Sequence, residues 1–380
     1  MPYSIDFFNV SHSNTHLSFE KNIASLILDI KDKKNVVSLV FFGISTDEKY
    51  DEDLQIIRSL AEEIFEENIP LITYIIQVPD APNKIALEIF YKPSFIHSIS
   101  YLETDGIRYA MMETAKSRIL ITEGMQAENS EKSIGMQATD IFNKAARMLK
   151  KQKMQTKDIV RQWNYIGHIT GVTEGIQHYQ TFNDARAEFY GDSNWKTNGY
   201  PAATGIGMSA NRLIVSLIVI CPFDDQVHIQ PLNNSLQTPA HAYSEKVLVC
   251  STGNERHATP KFERAKIIRN DLFGICFISG TAAIRGEQSM NSMDAALQTR
   301  QTLENIQYLI SDKNLQENGI GGKVSTPSLL RVYVKYRKDI EAVKNEVGKV
   351  WPHVPAVYLE AGICREVLLV EIEGVAMVVV

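Results

Sequence analysis

Near the end of the chain, "CREVLLVEIEGVA" (364–376) gathers a thiol, a guanidinium and carboxylates around one short apolar run. In "VLLVEIEGV", Leu368, Val370 and Ile372 alternate with Leu369, Glu371 and Glu373, which is the period of a β-strand. A carboxyl group flanked by Val370 and Ile372 can be kept neutral by desolvation, and a neutral carboxylic acid at physiological pH is a proton donor. The plainer alternative is a solvated strand face, where most carboxylates are found. Cys364 precedes Glu371 by seven residues, an odd number, so one unbroken strand would point them to opposite faces. A turn or bulge near Arg365 and Glu366 has to intervene if both line one pocket. A lone thiol is otherwise most often a buried, inert group.

The elements that must carry these groups fall into two parts. Over the first hundred residues, "NVVSLVFFGI", "PLITYIIQV" and "KIALEIFYK" read as strands. "DEDLQIIRSLAEEIFEEN" reads as an amphipathic helix with an acidic first turn. This αβ unit shows no evident chemistry. The remainder repeats one order twice: strand, helix, strand, helix, strand, strand. "RILITEGMQAE", "ATDIFNKAARMLKKQK", "IVRQWNYI", "YPAATGIG" and "RLIVSLIVI" belong to the first copy. "ICFISGTAAIRGE", "MDAALQTRQTLENIQYLI", "LLRVYVKY", "VPAVYLEAGIC" and "VLLVEIEGV" belong to the second. Gly124 matches Gly280, Asp140 matches Asp294 and Val215 matches Val370, at offsets of about 155 residues. Ser216 then stands where the second copy has Glu371, so the carboxylate is present in only one copy.

The expected fold class is α+β: two αβ repeats with mixed sheets and helices on one face, plus an N-terminal αβ extension. The extension spans 1–104 and a degenerate repeat 105–225, together an N-terminal region 1–225. A C-terminal catalytic domain spans 238–380. The stretch "PFDDQVHIQPLNNSLQTPAHAYSE", with three prolines, reads as a polar linker.

Composition narrows the function. The 380 residues are 44% apolar and 22% charged, ordinary for globular proteins, with a net charge of −6. That charge offers no basic field for a nucleic-acid backbone. No apolar run approaches the length of a spanning helix, and the first twenty residues lack a signal-peptide pattern. Cys221, Cys250, Cys276 and Cys364 form no CxxC, which fits a reducing cytoplasm. No ligand spacing for a metal is evident.

Several stretches are more particular. "RQWNYIGHI", "YQTFNDARAEFYG", "YPAATGIG", "PKFERA", "SGTAAIRGE", "QTRQTLENI" and the final "CREVLLVEIE" occur in that order. Together they resemble the chorismatase family, while "FISGTAAI" and "LLVEIEGVA" resemble the wider RidA/YjgF-like superfamily. The resemblance runs from Arg161 to Ala376, more than half the chain, and leaves the first hundred residues unmatched. It implies RidA/YjgF-like repeats and cleavage of the enolpyruvyl ether of chorismate, with pyruvate released and no cofactor or metal. Family subgroups leave a dihydroxycyclohexadiene carboxylate, 3-hydroxybenzoate, or 3- and 4-hydroxybenzoate together.

The family's catalytic glutamate falls on Glu371. Its subgroup-marking cysteine falls on Cys364, which points to 3-hydroxybenzoate, with or without the 4-isomer. Carboxylate recognition calls for planar, bidentate donors. Arg186 in "NDARAEF" and Arg264 in "KFERA" stand in family-like motifs, and Arg331 is a further candidate. Tyr165 and Tyr243 are candidate hydroxyl donors, and Gly280 and Ala283 would let a ring approach the backbone. The bland alternatives are surface charges for the arginines, core residues for the tyrosines and close-packing positions for Gly280 and Ala283. The expected partner is chorismate, with neither nucleic acid nor membrane, on a monomer or small homo-oligomer. A RidA-like imine deaminase or small-metabolite binder is the competing reading.

Overall fold

The apolar runs assemble into three principal sheets in the computed structural model, which describes residues 8–13, 16–191, 193–195, 197–244, 257–270 and 274–379. Cys250 and the last residue of the proposed linker lie outside these described residues. The N-terminal unit is a four-stranded sheet in the order Phe8–His12, Ile85–Tyr91, Val36–Gly43, Leu71–Ile76. The helices Phe19–Leu28 and Tyr50–Phe65 accompany it, the second opening on Asp51, Glu52 and Asp53 as the macrodipole favours.

The two repeats have one topology. The first runs Ala202–Met208, Ile159–Gly167, Leu213–Pro222, Ser117–Thr122, Ile107–Glu113, Ser98–Thr104 across its sheet. The second runs Ala356–Glu360, Lys323–Val334, Val370–Val379, Gly274–Ala282, Ala265–Arg269, His228–Leu232. In each, the first pair is parallel and the following pairs are antiparallel, so both sheets are mixed. Helices Ile134–Lys151 and His178–Tyr190 pack together on the first repeat, and Ala295–Leu309 and Ile340–Val350 on the second.

Three details differ from the sequence reading. Each repeat opens two strands before the first one read from the sequence: Ser98–Thr104, inside the expected extension, and Ile107–Glu113 in the first, and His228–Leu232, inside the expected linker, and Ala265–Arg269 in the second. Ser98–Thr104 and His228–Leu232 are edge strands with partly exposed side chains, and an edge tolerates Pro231, which has no N–H to give. Asp140 and Asp294 are not equivalent. Asp294 caps its helix by accepting from Leu297 N at 3.1 Å, and the matching cap in the first repeat is Ser133, accepting from Met136 N at 3.4 Å. Asp140 lies inside the helix, where it accepts from Glu128 N.

The extension is packed into both repeats. One buried apolar cluster joins Phe41 and Leu87 of the extension, Tyr165 and Ile206 of the first repeat, and Tyr333 and Leu359 of the second. Each large apolar side chain contributes roughly 1.5–3 kcal/mol on burial, so core packing holds the unit in place. Val78–Pro79 of the extension also adds an edge to the second repeat's sheet beside Ala356–Glu360. Among the described residues no helix is long and apolar enough to cross a membrane.

Candidate active site

A pocket lies between the repeats. The helix His178–Tyr190 and the strand Ala202–Met208 supply one wall, through Tyr179, Gln180, Asn183, Ala203 and Gly205. The second repeat supplies the other, through Phe262, Arg264, Gly280, Ala282, Cys364 and Glu371. The two walls are tied together: Ser279 Oγ accepts from Ala203 N at 2.9 Å and donates to the Glu263 carbonyl at 2.6 Å.

Cys364 and Glu371 reach the same pocket because the chain turns between them. Leu368 N donates to the Arg365 carbonyl at 3.1 Å, and the last strand begins only at Val370. Buried Gln298, in the helix Ala295–Leu309, clamps this turn. It accepts from Leu369 N at 2.8 Å and donates to the Val367 carbonyl at 2.8 Å. Upstream, Gly207 N donates to the Gly362 carbonyl at 2.8 Å. A β-carbon at Gly207 would stand 2.8 Å from that oxygen, so only glycine lets the segment approach so closely.

Glu371 is 5% exposed and lines the pocket. Burial, aided by the negative charge of Glu373, pushes its pKa up to about 8, against the pull of Arg161 and Arg264. Gly280, on the neighbouring strand, leaves the room it occupies. A β-carbon there would lie 2.0 Å from Glu371 Oε1. The acid is therefore neutral at pH 7 and faces an open cavity.

Glu373, on the same strand face, is treated in the opposite way. It accepts from Arg161 Nη2, Thr204 Oγ1, Trp163 Nε1 (3.1 Å), Arg331 Nη1 (3.1 Å) and Tyr333 OH (2.9 Å). Burial would raise its pKa, but Arg161 and Arg331, with the hydroxyls of Thr204 and Tyr333, hold it below the usual carboxylate range. Two carboxyl groups two residues apart are thus driven to different protonation states, the arrangement by which a site assigns acid and anion. The alternative of a solvated strand face does not hold for Glu373, which is 2% exposed.

The quoted motifs acquire roles in this geometry. In "RQWNYI", Arg161 and Trp163 bond Glu373 and Tyr165 takes a bond from Arg331. The alternate residues Gln162 and Asn164 form a chain from Tyr190 OH to the Thr204 carbonyl. In "YPAATGIG", Thr204 donates to Glu373 and accepts from Gly280 N at 3.1 Å.

Of the expected site residues, the structure brings Glu371, Cys364, Tyr243, Arg264 and Gly280 to the pocket wall. Arg264 Nη2 donates to Tyr243 OH at 2.7 Å and to the Thr238 carbonyl at 2.6 Å, while its buried Nε has no partner among the described residues. Cys364 is partly buried, and its thiol pKa is pushed up to about 12 by burial and by Glu371, so it is a neutral thiol. Four residues stand elsewhere. Arg186 is fully buried behind the wall, donating to Asn183 Oδ1 at 2.6 Å. Tyr165 and Arg331 belong to the ion network around Glu373, and Ala282 rather than Ala283 faces the cavity. Arg365 also lines the pocket and donates to the Glu287 carbonyl and Ser289 Oγ. Tyr179 was missed by sequence reasoning; its ring lies against Gly205, where a β-carbon would come within 2.8 Å. Among the described residues no cluster of three or more His, Cys, Asp or Glu side chains could hold a metal.

Residues 97–219 match the family model described as chorismatase FkbO/Hyg5-like, N-terminal. A 3-hydroxybenzoate synthase of Streptomyces hygroscopicus is 34% identical over 227 residues, 58% of this chain and 63% of that protein. A chorismatase of Streptomyces rapamycinicus is 31% identical over 225 residues, 57% of this chain and 63% of that protein. The matched part spans less than two thirds of the length of these relatives. A chorismatase crystal structure superposes with a TM-score of 0.70 at 19% identity, over 97% of this chain and 98% of that one, and shares the fold.

Proposed function

We propose that this chain is a chorismatase-family enzyme and cleaves the enolpyruvyl ether of chorismate to pyruvate and 3-hydroxybenzoate. The observation that carries the reading is the divergence of two neighbouring carboxyl groups, Glu371 neutral and facing the pocket, Glu373 ionised and sealed behind it.

An enol ether is cleaved by protonating its terminal methylene, which turns the side chain into an oxocarbenium ion. Glu371 is the donor: at pH 7 it carries the proton and lines the pocket. Once it has given the proton up, its carboxylate stands beside the cation it created and stabilises it. Arg264 offers a guanidinium to a substrate carboxylate, backed by Tyr243. The Phe262, Ala282, Ile284 and Leu368 side chains give the ring an apolar seat.

Two fates then compete. Water can capture the cation, leaving pyruvate and a non-aromatic diol. Alternatively, the ring hydroxyl adds internally, and loss of pyruvate with a ring proton leaves an aromatic hydroxybenzoate, consuming no water overall. The neutral Cys364 thiol sits where it shapes the ring's surroundings, which supports the second fate. Chromatography of the products from chorismate tests this reading. 3-Hydroxybenzoate, alone or with the 4-isomer, is expected; the diol as sole product would overturn the assignment.

A further inference from the structure

Glu88 lies on the strand Ile85–Tyr91 of the N-terminal unit, outside residues 97–219, and it is 4% exposed. It grips Arg331 of the second repeat with both oxygens, Nε to Oε2 at 2.7 Å and Nη2 to Oε1 at 2.5 Å. The remaining nitrogen, Nη1, donates to Tyr165 OH at 2.8 Å and Glu373 Oε1 at 3.1 Å. Glu373 is in turn bonded to Arg161. Two carboxylates and two guanidiniums therefore form one buried, neutral network contributed by all three sheets, and Glu371 stands at its pocket end.

We propose that Glu88 is a positioning residue for Glu371: by holding Arg331 in this neutral network, the N-terminal unit supplies a counter-charge on which the acid depends. Without Glu88 the network carries one excess positive charge, and Arg331 is free to turn wholly towards Glu373. Excess positive charge favours the carboxylate form of Glu371 and so disarms it as a donor. The groups that act on Glu371 directly are Glu373 and Arg161 from the network and Arg264, Cys364 and Tyr179 from the pocket. Those around the Glu88–Arg331 pair are Tyr165, Tyr333, Arg161 and Glu373. Glu88 does not line the pocket, and its carboxylate is bonded to Arg331, through which it acts. The inference rests on the reading of Glu371 as the acid.

The test follows Glu371 directly, in the full chain carrying a ¹³C label at the glutamate carboxyl carbons. Its resonance is identified by its loss in Glu371→Gln. In Glu88→Gln its titration midpoint should fall, by up to about 1 pH unit, since the excess charge reaches Glu371 by way of Glu373 and not by direct contact. The alkaline limb of pyruvate release from chorismate should move with it. Arg331→Met removes a cation instead, and the midpoint should rise. The double variant restores neutrality and should return the midpoint towards that of the parent. A midpoint unchanged in whichever single variant folds would overturn the proposal. The titration needs no substrate: shifted midpoints without pyruvate release would refute the enzymatic reading alone, and pyruvate release with unshifted midpoints would refute this inference alone.

Discussion

Gly280 and Glu371 share a space that holds only one side chain: a β-carbon on residue 280 would stand 2.0 Å from Glu371 Oε1 and 2.9 Å from its Cδ. The obstacle is the far end of a flexible side chain, so the backbone can survive a substitution while the carboxyl cannot keep its place. Gly280→Ala should therefore fold, with a thermal midpoint close to the parent's, and lose turnover by ~10²-fold or more, the low end of what general acid catalysis supplies. Steady-state kinetics beside thermal denaturation checks this. Turnover within a factor of a few of the parent would mean the carboxyl does not act from the position described.

The buried acid costs stability in a pH-dependent way. The folded pKa of Glu371 is raised to about 8 from an unfolded value near 4.5. Between those values the folded chain holds a proton that the unfolded chain releases, so stability falls as pH rises through the window. The slope is on the order of 1.4 kcal/mol per pH unit. Glu371→Gln has no such proton. Its stability relative to the parent should rise between pH 5 and pH 8, measured by denaturant unfolding at each pH, and level off above. A difference independent of pH would show that Glu371 titrates normally.

Arg264, rather than Arg186, should anchor a substrate carboxylate. Arg264→Lys replaces a planar fork by a point charge. Loss of one charged hydrogen bond costs roughly 1.5–3 kcal/mol, so KM for chorismate should rise on the order of ten- to a hundredfold with a smaller change in kcat. Arg186→Lys, behind Asn183, should disturb stability more than KM. The reverse pattern would restore Arg186 to the role its motif suggested.

Cys364 should decide product rather than rate. Its thiol, with a pKa pushed up to about 12, is neither base nor nucleophile at pH 7 and acts through its shape. Cys364→Ala should keep pyruvate release and shift the product from hydroxybenzoate towards the diol. An unaltered product mixture would remove Cys364 from product control.

Much of this was legible in residue patterns. The alternation in "VLLVEIEGV" placed the last strand, and the odd spacing from Cys364 required the turn that Gln298 clamps. The repeat was visible where central strands are apolar and invisible at its edges, because "SISYLET" and "HIQPL" are half-exposed and carry no strong pattern. The ion network was missed for another reason. Glu88 in "IALEIFY" and Arg161 in "IVRQWNYI" are each a lone charge in an apolar strand, and Arg331 in "LLRVYVKY" is separated from Lys335 by three apolar or aromatic residues. Taken singly, each reads as an edge or surface residue. Lone charges at inward positions of buried strands are the signal that could have found the network, because buried charges must be paired. Which of them meet depends on contacts between residues as far apart in sequence as Glu88 and Arg331, and no periodicity encodes that.

Pyruvate release from chorismate by the parent chain and by Glu371→Gln, followed from pH 6 to pH 10, tests the central claim most directly. The account predicts a parent rate that holds at low pH and declines through a midpoint near the acid's value of about 8. It also predicts a loss of ~10²–10⁴-fold in the variant below that midpoint, narrowing above it as the parent's acid loses its proton. No pyruvate from the parent, or a variant within tenfold of it at pH 6 to 7, would contradict the account.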